Sequence, residues 1–75
     1  MTREQLIEAK ERITEGIYYL LITTRAGEDL ESAAYEMRKD GEEFITLTFS
    51  NGNKKRICVT GDSGVAMAQD VLRHF

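Results

Sequence analysis

Apolar residues recur at helical spacing from the start of the chain. Leu6, Ala9 and Ile13 define one face, with Lys10 interrupting its flank, and Glu8, Glu11, Arg12 and Glu15 lie mostly on the other. Thr2, followed three residues later by Gln5, supplies a capping box, and Glu8 with Arg12 is an i,i+4 pair of the favourable orientation. The spacing predicts a helix over 3–15.

Gly16 opens a segment with two readings. Ile17-Tyr18-Tyr19-Leu20-Leu21-Ile22-Thr23-Thr24 is rich in aromatic and β-branched residues and is bracketed by Gly16 and Gly27, as a short buried strand would be. Alternatively the first helix continues through Gly16, because Ile13, Ile17, Leu20 and Thr24 extend its stripe. That continuation leaves Tyr18, Tyr19 and Ile22 on an outer side needing a second covering surface.

Residues 28–40 predict a second helix. Its first turn is acidic, Arg38 and Lys39 match the dipole at its end, and Gly41 follows as a stop. Leu30, Ala33, Ala34 and Met37 would form a narrow face of small side chains.

A change of period follows. Ile45, Leu47 and Phe49 alternate with Phe44, Thr46 and Thr48, and Lys55, Ile57 and Val59 alternate in the next run. Ser50-Asn51-Gly52-Asn53 between them predicts a β-hairpin. A two-residue Asn51-Gly52 turn would pair Leu47 with Arg56 and set the two apolar faces against each other. A three-residue Ser50-Asn51-Gly52 loop pairs Leu47 with Lys55 and Ile45 with Ile57, and puts Gly52 where a left-handed residue is needed. The second register is therefore expected. A cap at Asp62 or Ser63 then starts a last helix over 64–74, with Val65, Ala68, Leu72 and Phe75 on its main stripe and Met67 and Val71 beside it.

These elements imply an α+β fold, a small two-layer domain in helix-strand-helix-hairpin-helix order. If the first helix continues through residue 24, the order becomes α-α-β-β-α. One compact domain is expected over residues 1–75, and a chain this short buries only about 60–65% of its unfolded surface. With 41% hydrophobic residues the chain can form a core.

Composition narrows the chemistry. Cys58 is the only cysteine, which excludes an internal disulfide, a redox pair and a cysteine zinc site. No apolar run approaches the roughly twenty residues that span a bilayer, and Met1-Thr2-Arg3-Glu4-Gln5 does not read as a secretory leader. A reducing, cytoplasmic setting without a membrane partner is expected.

Candidate catalytic signals have simpler structural readings. Gly61-Asp62-Ser63-Gly64 has the residue types of a serine nucleophile motif, but the single histidine, His74, stands at the far end of the last helix. Ser63 reads as a turn and helix cap. An anion site at the same loop would meet Asp62, and the loop lacks the length and lysine of a phosphate-binding loop. The carboxylates at Glu28, Asp29, Glu31, Asp40, Glu42 and Glu43 surround no calcium-type motif. No metal, cofactor or catalytic residue is assigned, and no enzyme is expected.

Charge and aromatic residues point to binding. Residues 1–43 carry eleven acids and six bases, net −5, and residues 44–75 carry two acids and four bases, net +2. Lys54-Lys55-Arg56 concentrates positive charge on the hairpin, either as a protected edge or as a contact for nucleic acid. Tyr18, Tyr19 and Tyr35 offer contact area of the kind enriched at interfaces. The expected function is a small protein-binding or regulatory module whose partner is another protein or a second copy of the chain. Tyr18, Tyr19, Phe44, Lys54 and Arg56 are the candidate interaction residues. The alternative is a nucleic-acid-binding protein using the basic strand at 53–60.

Overall fold

Helix α1 spans Arg3–Ile22 in the computed structural model, which describes residues 1–75. Thr2 caps it as expected. Its hydroxyl accepts from the Gln5 N–H at 3.1 Å, and Gln5 Oε1 accepts from the Thr2 N–H at 3.0 Å. The helix then runs through Gly16, so the strand expected over 17–24 is helical, and the continued-helix alternative describes this segment up to Ile22. Magnitudes explain the outcome. An internal glycine costs about 1 kcal/mol relative to alanine, whereas burying Ile17 or Leu21 contributes roughly 1.5–3 kcal/mol each. These two side chains are only 4% and 1% exposed. Tyr19 and Leu20 are left on the surface.

The buried stripe of α1 is Lys10, Thr14, Ile17 and Leu21, rotated from the expected Leu6, Ala9 and Ile13 face. Leu6 is exposed, and Ile13 is partly buried at the core margin. Lys10, which interrupts the apolar pattern, lies at the centre of the packed face because a carboxylate from the sheet meets it there.

Strand β1 occupies Leu30–Met37, so the helix expected over 28–40 is not formed. Glu, Ala, Met and Arg favour a helix locally, but pairing in a sheet overrides that weak preference. A lone hairpin is marginal in water. With residues 17–22 absorbed into α1, β1 supplies the third strand. Ala33, Tyr35 and Met37 alternate with Ser32, Ala34 and Glu36, and a bulge between Leu30 and Ser32 breaks the alternation near its start.

Strands β2 (Glu43–Phe49) and β3 (Lys54–Cys58) form the hairpin in the expected register. Ile45 pairs with Ile57 and Leu47 with Lys55, and the Phe49 N–H donates to Asn53 O at 2.9 Å across Ser50-Asn51-Gly52. The β1–β2 connection repeats the device. The Arg38 N–H donates to Glu42 O at 2.8 Å across Lys39-Asp40-Gly41. Gly41 and Gly52 have φ of +91° and +88°, the left-handed position that such a loop requires. In each loop the residue before the glycine closes an Asx turn. Asp40 Oδ1 accepts from the Glu42 N–H and Asn51 Oδ1 from the Asn53 N–H, both at 3.0 Å. Gly41 thus turns a hairpin instead of stopping a helix.

Helix α2 spans Gly64–His74, with Ser63 as its cap accepting from the Ala66 N–H at 3.2 Å. Met67 and Val71 are fully buried, while Val65 and Leu72 are exposed, so the expected flank is the main stripe. Gly64 explains the rotation. A Cβ there would come within 2.7 Å of Ile13 Cδ1, so the glycine side of α2 packs directly on α1.

The sheet order is β1-β2-β3, antiparallel throughout, and the element order is α-β-β-β-α. Ile17 and Leu21 of α1, Met67 and Val71 of α2, and Leu30, Ile45, Leu47, Ile57 and Val59 from the sheet side form one core. The result is a two-layer α+β fold. Both helices cover one face of the sheet, and its other face and both edge strands are left uncovered.

Candidate functional site

The free edge of β1 lies beside α1. The Arg3 guanidinium donates to Arg38 O at 2.9 Å and Lys10 Nζ is 6.0 Å from the Tyr35 ring centroid, so α1 runs antiparallel to the strand. Backbone alternation sets which strand groups are free. Arg38 and Glu42 form a hydrogen-bonded pair, which places Glu36, Ala34 and Ser32 in the bonded positions facing β2. Ala33, Tyr35 and Met37 therefore direct their N–H and C=O groups outward. No fourth strand pairs with them.

An open groove of about 510 Å³ follows this edge. From α1 it is lined by Glu11, Thr14, Glu15, Tyr18 and Tyr19, and from the strand by residues 31–35. Tyr18 is half-buried, Tyr19 is 59% exposed, and their rings meet edge-to-face at 5.5 Å between centroids. Glu11, Glu15 and Glu31 are exposed, and no lysine or arginine lines the groove. Ala33 and Ala34 contribute only methyl groups to this lining.

One end of the groove is anchored by a polar cluster. Lys10 Nζ and the Tyr35 hydroxyl both donate to Glu43 Oε2, the latter at 2.7 Å, and the Gly61 N–H donates to Glu43 Oε1 at 3.3 Å. Burial alone would raise the Glu43 carboxyl, but the hydrogen bonds from Lys10, Tyr35 and Gly61 outweigh it and hold the group below its ordinary range. Burial, then donation to the Glu43 carboxylate, pushes the Tyr35 phenol well above its ordinary value. Tyr35 thus remains a neutral donor that ties the strand edge to the helix.

A second surface lies on the uncovered face of the sheet. The Arg38 and Arg56 guanidinium carbons sit 4.8 and 3.9 Å from the Phe44 ring centroid. Glu36 stands between the arginines, 3.9 Å from each at the nearest ion-pair atoms. Lys54 pairs with Thr48 farther along the same face, and Cys58 lies across from Phe44. The two arginines are therefore already engaged by one carboxylate and one ring.

Ser63 uses its hydroxyl as the α2 cap, and the His74 ring nitrogen Nδ1 lies 2.8 Å from Asp70 O. No three His, Cys, Asp or Glu side chains converge to hold a metal ion. No helix is long and apolar enough to cross a membrane.

The five candidate interaction residues fall in two places. Tyr18 and Tyr19 line the groove, while Phe44 and Arg56 touch on the uncovered sheet face with Lys54 along the same side. Sequence reasoning missed Glu31, Ser32, Ala33 and Ala34, because a helix was expected there. The available signal was the Lys39-Asp40-Gly41 loop, which has the same chemistry as Ser50-Asn51-Gly52 and pairs the residues before it with β2. Compared with known families, curated proteins and solved structures, the chain matches none.

Proposed function

We propose that this chain is a small non-enzymatic protein-binding module that takes up an extended segment of a partner along the free edge of β1. The observation that carries the reading is the row of outward backbone groups at Ala33, Tyr35 and Met37 beside a tyrosine-lined groove. A partner strand gains main-chain hydrogen bonds from the edge, and its alternate side chains enter the groove. The contrast between the two edges supports the choice. Lys54, Lys55 and Arg56 guard β3 with charge, whereas Ser32-Ala33-Ala34 leaves β1 with small neutral side chains.

Selecting phage-displayed random octapeptides against the intact chain tests the reading. Recovered peptides should bind the wild type and lose binding to Ala33→Pro, which removes an outward N–H without removing a bond to β2. A melting curve establishes that the variant is folded. Failure to recover any peptide, or recovery of peptides that bind folded Ala33→Pro equally well, contradicts strand addition.

A further inference from the structure

We infer that the strand taken up at β1 is cationic, with Lys or Arg at alternate positions facing α1, and that it belongs to a separate protein. The inference rests on the strand-addition reading and adds the partner's chemistry. Glu11, Glu15 and Glu31 line the groove, and none of the chain's ion pairs uses them. Some acids elsewhere are matched locally, Glu8 by Arg12 at 3.0 Å and Glu36 by Arg38 and Arg56 at 3.9 Å, while Glu4, Glu28, Asp29, Asp40 and Asp62 lie outside the groove without an ion pair. Beside the β1 edge, negative charge is left without an internal partner.

Spacing fits the proposed occupant. Glu11 and Glu15 are one helical step of four residues apart, about 6 Å along the axis. Alternate side chains of an extended strand are roughly 6.4–6.8 Å apart. A strand lying along β1 beside the antiparallel α1 can therefore offer one cation to each carboxylate. Tyr18 and Tyr19 supply aromatic surface for the aliphatic stems and charged ends of the same side chains.

The same charges argue against symmetric self-pairing. Joining β1 to β1 of another copy would bring two sets of these carboxylates into one seam, where like charges repel. A head-to-tail contact with the basic β3 edge of another copy has favourable charge but would add subunits in series. Measured mass distinguishes that occupant.

The test is calorimetric titration of the intact chain with capped octapeptides alternating Val with Lys, Ser or Glu, alongside light scattering of the chain alone. The Lys peptide should bind on the order of tenfold more tightly than the Ser peptide at low salt, and the Glu peptide least. The Lys preference should disappear in a Glu11→Gln, Glu15→Gln, Glu31→Gln variant, which alters only exposed side chains. Equal binding of Lys and Ser peptides overturns the cationic assignment while leaving strand addition standing. Equal binding of the Lys peptide and its alternately N-methylated form contradicts strand addition instead. Binding by none of the peptides contradicts both, and a mass that grows with protein concentration assigns the edge to another copy.

Discussion

Lys10 of α1 and Glu43 of β2 form an ion pair in the interior, each residue only 5% exposed. The pair joins the helix to the first residue of the central strand, and Tyr35 extends it to the edge strand. Removing one partner should be worse than removing both. Lys10→Met or Glu43→Leu should each cost roughly 3–5 kcal/mol by leaving a buried charge uncompensated, while the two together should recover much of that loss. Urea unfolding of the two singles and the double measures the coupling. Additive losses would contradict a mutually compensating pair.

Acid should weaken the wild type through the same carboxylate. Glu43 is held below its ordinary value of 4.5, so its contribution is present above the unfolded value and is lost as pH falls through the folded one. Stability measured from pH 6 downward should fall more steeply for the wild type than for Glu43→Gln. Parallel profiles would remove Glu43 from the acid response.

Asp62 should respond in the opposite direction. The neighbouring Asp70 carboxyl, then burial, pushes the Asp62 carboxyl above its ordinary value, and one oxygen is buried without a donor. A raised folded value means stability fully present below the unfolded value and lost as pH rises through the folded one. Asp62→Asn should therefore raise the melting temperature at neutral pH, with the gain shrinking toward pH 4. Calorimetric melting across that interval checks the sign, and a variant less stable at pH 7 would contradict it.

The two loops should behave alike because Gly41 and Gly52 occupy the same left-handed position. Gly41→Val and Gly52→Val should each cost at least about 1–2 kcal/mol, measured by urea unfolding. A neutral Gly41→Val would be inconsistent with the β1–β2 hairpin as described.

Strand parity separates neighbouring residues on β3. Ile57→Ala should cost roughly 2–4 kcal/mol because the side chain is buried in the core. Arg56→Ala should cost only about 0.5–1 kcal/mol, mainly its contact with Phe44 on the uncovered face. Chemical denaturation gives both values. Similar costs would argue against the alternation of faces.

The hairpin and final helix were legible because their signals are local. Parity between Ile45 and Ile57 selected the three-residue loop, and Ser63 before an apolar run marked the start of α2. The stripes were harder because tertiary partners set rotation: Glu43 draws Lys10 inward, and Ile13 fits against Gly64. Residues 30–37 read as a helix in sequence for a related reason. Their composition favours a helix, while their pairing depends on β2 and on a bulge that interrupts alternation. That one element carries the exposed edge. Tyr18 and Tyr19 could be identified by residue type, but the groove they line could not be seen until Ser32, Ala33 and Ala34 were placed in a strand.

Amide hydrogen exchange by NMR, with and without the Lys–Val octapeptide, reads strand addition at β1 residue by residue. In the free chain the outward N–H groups of Ala33, Tyr35 and Met37 should exchange faster than those of Ser32, Ala34 and Glu36, which face β2. Addition of the peptide should protect the outward set selectively. Binding that leaves Ala33, Tyr35 and Met37 unprotected, or that protects Lys54, Arg56 and Cys58 on the opposite edge instead, would contradict strand addition at β1.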